Sequence, residues 1–327
     1  MDFVSVGSTG VQVSPLCLGT MSFGSEADEA TAAAMFARAR DKGINFFDTA
    51  DVYGAGASEE ILGRLVAGSR DDVVITSKVF YATGAGPNDS GLSRRHIRTA
   101  VEASLYRLGT DRIDFYFVHA FDDRTPIEQT LRALDDLVRQ GKILYPAVSN
   151  WAAWQIATAL GIQTREGLTR FELVQPMYNV VRRQAEVEIL PLARAEGLGV
   201  ISYSPLGGGL LTGKYAPQLR PSDGRLVANP RYADRYGLAS DYLSAEAFTA
   251  VANRVGHQPA SLAVAWAMAN PDITAPIVGA RNLDQLDASL AALDIDVSPD
   301  LYAEVAATSS GPATATDRTE VQTGRWT

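Results

Sequence analysis

The sequence predicts an eight-stranded parallel barrel wrapped by helices, a single (β/α)8 TIM-barrel unit, on three observations. Short apolar runs rich in β-branched and aromatic residues alternate with segments of helical periodicity, the pattern of a parallel sheet buried on both faces. The strand ends recur at a near-regular interval. Asp48, Lys78, His119, Ser149, Gln175 and Tyr203 are separated by 30, 41, 30, 26 and 28 residues, close to one βα unit of about 30 residues. No candidate strand is followed by G-x-G-x-x-G, the turn that an open dinucleotide-binding sheet uses.

Taken in order, Asp2–Ser14 carries Gly7 and Gly10 between short alternating stretches and reads as a hairpin capping the barrel floor. Strands are expected at Leu16–Leu18, Ile44–Asp48, Val73–Lys78, Ile113–His119, Ile143–Ser149, Leu173–Gln175, Gly199–Tyr203 and Ala275–Gly279. Helical periodicity covers Glu29–Lys42, Ser93–Leu108, Ile127–Gln140 and Ala185–Glu196, with stops at Gly43 and Gly141. Pro146 removes a ladder donor from its strand, so a local bulge is expected there. The interval from Tyr203 to Gly279 is 76 residues. It contains Gly207–Tyr242, rich in Gly, Pro, Arg and Tyr, which reads as a functional loop or an insertion. Ser309–Thr327 is polar and of low complexity, a flexible tail. No linker divides residues 1–327, so one domain is expected.

Composition narrows the partners. Lys and Arg total 29 against 38 Asp and Glu, a formal charge of −9, which disfavours nucleic acid and anionic membrane surfaces. The longest apolar stretch, Leu262–Ala269, is eight residues, far short of the roughly 18 a membrane span needs. A lone Cys17 and three histidines (His96, His119, His257) leave no disulfide and no structural zinc cluster. With no basic-then-apolar stretch at the start, a cytoplasmic location is expected, with a homo-oligomer left open.

Three polar residues end apolar strands where a packed core would not want them: Asp48, Lys78 and His119. Tyr53 follows Asp48 by five residues in a loop that can return it to the barrel mouth. Singly, each has a bland reading as helix cap, solvated strand end, core histidine or packing aromatic. Together, on the face where such barrels carry their reactive groups, they suit carbonyl reduction. A tyrosine can protonate the alkoxide formed by hydride addition. An ammonium about 4 Å away is worth roughly 4 kcal/mol at an effective dielectric near 20, or about three pKa units, which would bring the phenol down toward neutrality. In this reading Asp48 holds Lys78 charged and His119 polarises the carbonyl.

The stretches LGTMSFG (18–24), FFDTADVYG (46–54), SEEILG (58–63), ITSK (75–78), VHAFD (118–122), VSN (148–150), QPMYN (175–179), YSPLGGGLLTGKY (203–215) and VGARN (278–282) resemble the aldo-keto reductases. The likeness runs from about Leu18 to Leu293 and is nearest to the branch holding potassium-channel beta subunits and bacterial general reductases. The resemblance implies a catalytic tetrad of Asp48, Tyr53, Lys78 and His119, with NADP(H) as cofactor and a small carbonyl compound as substrate. It further implies that Ser149, Asn150 and Gln175 hold the nicotinamide carboxamide, that Tyr203 stacks beneath the ring, and that Gly19, Thr20 and Met21 lie nearby. Ser204, Pro205, Leu206, Gly207, Gly209 and Lys214 would bind the pyrophosphate, and Gly279, Ala280, Arg281, Gln285 and Ser289 the adenosine end. Arg225 and Arg281 are candidates for the 2′-phosphate, since arginine binds phosphate bidentately. Ala288 and Ser289 depart from the Glu and Asn common at those positions in this branch.

The loops at Phe23–Ser25, Phe80–Leu92, Ala120–Arg124 and Gly207–Tyr242 should shape the substrate pocket, with Phe23, Phe121 and Trp151 as apolar walls. Gly208–Tyr215 reads G-x-x-x-x-G-K-Y, but Tyr215 lacks the Mg²⁺-binding hydroxyl position of a nucleoside-triphosphate loop, so the dinucleotide reading is preferred. The expected activity is NADPH-dependent reduction of an aldehyde or ketone. The alternatives are a cofactor-binding subunit of slow turnover and a dedicated sugar-ketone or enoyl reductase.

Overall fold

A computed structural model describes residues 1–219, 221–222 and 224–316. The chain opens with an antiparallel hairpin, β1 (Val4–Ser5) and β2 (Gln12–Val13), with Val4 opposite Val13. Eight parallel strands follow: β3 (Cys17–Gly19), β4 (Phe46–Asp48), β5 (Val74–Val79), β6 (Ile113–Val118), β7 (Ile143–Ser149), β8 (Leu173–Gln175), β9 (Gly199–Ser202) and β10 (Ala275–Val278). Each pairs with the next, and β10 returns to β3, closing a barrel. Around it lie α1 (Glu29–Asp41), α2 (Ala57–Val66), α3 (Arg94–Leu108), α4 (Ile127–Arg139), α5 (Ala153–Glu166) and α6 (Ile189–Glu196). After β9 come α7 (Arg225–Ala228), α8 (Pro230–Tyr236), α9 (Ala239–Arg254) and α10 (Pro259–Met268), and after β10 come α11 (Leu283–Leu290) and α12 (Pro299–Ala306). The eight-stranded barrel and its hairpin are as expected from the sequence.

The differences are local. The fourth, seventh and eighth barrel strands stop one residue sooner than expected, so His119, Tyr203 and Gly279 sit just beyond β6, β9 and β10. The helix expected over Ala185–Glu196 breaks into a 3-10 turn at Gln184–Glu186 and α6. Pro191 cannot donate within a helix continuing from Ala185, so α6 starts where proline falls in its first turn. Pro146 makes no bulge: the β6–β7 register runs evenly through Phe115↔Tyr145, Tyr116↔Pro146 and Phe117↔Ala147. Its carbonyl accepts from the Glu172 amide at 3.1 Å, and its missing N–H faces the same neighbour where β8 has not yet begun. Of the expected tail 309–327, residues 317–327 lie outside the described residues.

Two cores flank the barrel wall. Phe46, Phe115, Phe117, Ala147, Leu173, Ile201, Ala275 and Ile277 fill the interior, and Val6 and Val13 of the hairpin close it from below. Gly7 and Gly199 permit that approach: a Cβ on Gly7 would lie 2.5 Å from Gly199 N, and one on Gly199 would lie 2.7 Å from Val6 Cγ1. Outward residues such as Phe47, Ile75, Tyr116, Val118 and Val148 pack beneath the helices. The apolar stretch at 262–269 is largely α10, with Trp266 fully buried. Among the described residues no helix is long and apolar enough to cross a membrane.

Candidate active site

Strand periodicity decides which side chains meet at the mouth. Residues two apart share a face, and Phe46, Phe117, Ala147, Leu173, Ile201 and Ile277 point inward. Two residues on, Asp48, His119, Ser149, Gln175, Tyr203 and Gly279 therefore lie on the inward side at the C-terminal rim, and Lys78 shares this face with Val74. Apolar side chains fill the lower layers, and the polar ones form a single layer on top.

The structure brings Asp48, Tyr53, Lys78 and His119 together. Lys78 Nζ donates to both Asp48 oxygens (2.7 and 2.6 Å), to the Thr49 carbonyl (2.8 Å) and to the Tyr53 hydroxyl (3.4 Å). The Tyr53 and His119 rings meet edge to face at 6.0 Å. Tyr53 reaches this position because Gly54, Ala55 and Gly56 (φ 57°, 53° and 98°) turn the chain sharply into α2. Ala55 is the only one of these three with a Cβ in the left-handed region, a locally strained position.

Burial and charge set the protonation states. Burial pulls the Lys78 ammonium down, but Asp48 outweighs it and leaves the pKa raised, so Lys78 stays charged. Burial and the neighbouring Lys78 charge push His119 well below its ordinary value, so its imidazole is neutral. Tyr53 corrects the expectation drawn from charge alone. Burial raises it above the ordinary phenol value, and the lysine lowers it by less. The ammonium is already gripped by Asp48, and its bond to the phenol is the longest of its four. Tyr53 thus keeps its proton at neutral pH.

Asp48 is itself over-determined: Oδ1 also accepts from Thr76 Oγ1 (2.6 Å) and Gln175 Nε2 (2.9 Å). Thr76 is a site residue that the sequence reading missed, although its inward position two before Lys78 signals it. A second missed group lies behind the wall. Glu59 of α2 is fully buried, accepting from Ser77 Oγ (2.5 Å) and Arg107 Nε (2.7 Å). Beside it Asp51 is 2% exposed, and neither carboxyl oxygen has a hydrogen-bond partner among the described residues.

The residues assigned by resemblance to a nicotinamide form one connected set. Tyr203 OH donates to Asn150 Oδ1 (2.8 Å), and Asn150 Nδ2 donates to Ser149 Oγ (3.0 Å) and the His119 carbonyl (2.9 Å). Ser149 Oγ in turn donates to the Gln175 carbonyl (3.0 Å). Asn150 and Ser204 both adopt positive φ (56° and 60°), and Gly207 and Gly209 continue the turn at 57° and 98°. Pro205 is buried and Leu206 half-buried along this loop. A Cβ on Gly209 would meet nothing nearer than Lys214 Cε, and one on Gly279 nothing nearer than the Gly19 carbonyl, both at 3.8 Å. Open floor beside Lys214 and Arg281, neither of which has a carboxylate partner among the described residues, suits a phosphate-bearing nucleotide.

Other assigned residues are engaged elsewhere. Arg225 pairs with Glu26 (3.2 Å) and stacks on Tyr232. Thr20 Oγ1 donates to the Asp48 carbonyl (3.0 Å) beside Ser58 Oγ, bracing β4 rather than facing the groove. Ser289 is buried and its hydroxyl donates to the Gln285 carbonyl (3.2 Å), while the Gln285 side chain accepts from the Arg281 amide (3.1 Å). The Ala280 carbonyl accepts from Ser22 Oγ (2.6 Å). Met21 is exposed.

Of the three proposed pocket walls, Phe23 is wholly buried in the outer core, because the loop after β3 folds inward, and it lines no pocket. Trp151 is nearly buried, edge-on to Phe121 (4.9 Å) and Phe171 (5.8 Å). Phe121 is half-buried, and exposed Trp154 lies 6.3 Å beyond it. Tyr81, which the sequence reading did not single out, is exposed and meets the His119 ring edge-on at 4.9 Å. Asp122 pins these loops together by accepting from Leu92 N (2.7 Å), Arg124 N (3.0 Å) and Thr125 Oγ1 (2.8 Å).

Comparison with known proteins agrees with this architecture. Residues 15–309 match the family model described as "Aldo/keto reductase family". The chain is 39% identical to "Uncharacterized oxidoreductase YrpG" of Bacillus subtilis over 313 residues, covering 92% of this chain and 94% of the relative. It is 38% identical to "Probable voltage-gated potassium channel subunit beta" of Arabidopsis thaliana, covering 90% and 92%. With "Versiconal hemiacetal acetate reductase" of Aspergillus parasiticus it shares 31%, covering 92% and 94%. On the barrel, the family match and these full-length similarities, the chain belongs to the aldo/keto reductase family and is an oxidoreductase.

Proposed function

We propose that this oxidoreductase reduces an aldehyde or ketone to an alcohol with NADPH, Tyr53 being the proton donor. The observation that carries the reading is a buried ammonium, locked by Asp48, lying 3.4 Å from a phenol that faces a neutral imidazole. When bound, NADPH supplies the hydride. Tyr53 then gives its proton to the substrate oxygen, and Lys78 stabilises the phenolate that remains. A phenol raised by burial is a fully loaded acid at neutral pH, and the adjacent positive charge acts when the proton leaves. His119, kept neutral, hydrogen-bonds the carbonyl oxygen and polarises it.

Ser149, Asn150 and Gln175 would hold the carboxamide, Tyr203 would underlie the ring, and the Ser204–Lys214 loop with Arg281 would take the phosphates. The test measures NADPH oxidation with 4-nitrobenzaldehyde together with NADPH binding by fluorescence. Tyr53→Phe is expected to bind NADPH nearly as well as the wild type and to lose on the order of 10² to 10⁴-fold in turnover. Full turnover by Tyr53→Phe removes the tyrosine from its role. Tight NADPH binding by wild type with no turnover on a broad carbonyl panel supports the binding-subunit reading instead.

A further inference from the structure

The loop after β9 carries a cation that nothing assigned so far uses. Tyr232 of α8 packs directly on Gly208, where a Cβ would lie 2.6 Å from Tyr232 Cδ1. Its ring is flanked by two guanidiniums, Arg225 at 5.2 Å and Arg235 at 5.4 Å. Arg225 is neutralised by Glu26. The Arg235 guanidinium has neither a carboxylate nor a hydrogen-bond acceptor among the described residues, and only the Tyr232 ring supports it.

Its position is built rather than incidental. The Arg235 carbonyl accepts from Arg182 Nη2, and Arg182 is held by both oxygens of buried Asp241 (2.8 and 2.9 Å). Arg182 also stacks on Tyr236 at 5.2 Å. The guanidinium stands on the ring that packs against Gly208 of the loop after β9, and its charge is felt at the mouth. Burial raises the Tyr203 hydroxyl to about 12, and Arg235 is the strongest charge pulling it back. Tyr81 and Tyr232 act on the same hydroxyl, and Tyr232 also acts on Tyr53. A cation with no counter-charge among the described residues thus stands on the Tyr232 ring, beside the loop after β9 and within electrostatic reach of Tyr203, on a chain whose net charge is −9.

We propose that Arg235 selects carbonyl substrates bearing a carboxylate, binding that anion at the rim while the carbonyl reaches Tyr53. This rests on the carbonyl-reductase reading. Guanidinium and carboxylate form paired charge-assisted bonds, and an arginine preordered against an aromatic ring loses less entropy in making them. Aromatic neighbours at the same rim, Tyr81 and Phe121, suit a flat spacer between carboxylate and aldehyde.

The experiment compares 3- and 4-carboxybenzaldehyde with their methyl esters on the wild-type holoenzyme, Arg235→Gln and Arg235→Lys. Wild type is expected to prefer an acid over its ester by at least ten-fold in kcat/KM, about 1.4 kcal/mol. Arg235→Gln should collapse that ratio toward one through KM, and Arg235→Lys should retain part of it, a charge rescue that a merely structural arginine would not show. Equal kcat/KM for acids and esters in wild type overturns the proposal. So does an Arg235→Gln defect that falls on NADPH affinity, which assigns the guanidinium to the cofactor's diphosphate. If wild type reduces no aldehyde, the reductase reading fails on its own. Calorimetry of 4-(hydroxymethyl)benzoate on the NADP⁺-loaded proteins then decides: weaker binding by Arg235→Gln supports the anion site, and equal binding overturns it.

Discussion

Asp51→Asn should change how the stability of this protein depends on pH. Asp51 lies behind the barrel wall, and burial, with the Glu59 charge adding to it, pushes its carboxyl from 3.8 up to about 7, against the opposing pull of Arg107 and Lys78. The folded protein therefore holds a proton on Asp51 that the unfolded chain releases near pH 4. Between those two values the unfolded state binds fewer protons, so stability falls as pH rises, at about 1.4 kcal/mol per unit. Over about three units the loss is about 4 kcal/mol. At about 2.1 cal/mol/K per residue, unfolding 327 residues carries about 0.7 kcal/mol/K, so 4 kcal/mol moves the melting midpoint by about 6 °C. Asparagine resembles the protonated acid and cannot ionise. Its own packing cost is independent of pH and cancels when the wild-type-to-variant difference is compared across pH. Thermal melts at pH 4.5, 6 and 8 cover about 2.4 of those units, about 3.3 kcal/mol, and should show the variant gaining on wild type by about 5 °C across the range. Parallel midpoints at all three values would mean that Asp51 does not carry a buried proton.

Two further expectations concern cofactor discrimination. Arg281→Ala should raise the Kd for NADPH about 10- to 100-fold, the loss of a charge-assisted hydrogen bond, and the Kd for NADH by much less. Equal losses for the two would show that Arg281 does not read the 2′-phosphate. Glu26→Gln releases Arg225 from an exposed ion pair worth at most about 1 kcal/mol. It should therefore tighten NADPH by about two- to five-fold, and fluorescence titrations giving an unchanged Kd would exclude Arg225 from the phosphate site.

Much of the barrel was legible because its physics is local. A strand buried on both faces has a short apolar run as its signature, and the polar residue ending each run falls on the inward face through the two-residue period. Asp48, Lys78, His119, Ser149 and Gln175 could be located in this way before any coordinates. Pro146 misled because the consequence of a missing N–H depends on whether a neighbouring strand stands opposite, and β8 begins only at Leu173. Phe23 misled because an aromatic residue in a loop has the same sequence signature whether it lines a pocket or folds into the core, where the structure places it. Thr20 and Ser289 likewise carry hydroxyls whose partners come from distant or helical neighbours that composition does not reveal.

By itself the sequence determined the eight-strand barrel with its capping hairpin and the set of polar residues at its rim, because periodicity and strand length are properties of neighbouring residues. Tertiary structure decided the protonation states and the pairing of charges. Burial at Tyr53 outweighs the lysine beside it, Asp51 becomes a proton-holding acid, and Glu26 satisfies Arg225 while Arg235 has no counter-ion among the described residues. The protonation states and the Glu26–Arg225 pair depend on the water removed around each group and on charges from elements far apart in the chain, and neither is encoded in any short stretch of residues.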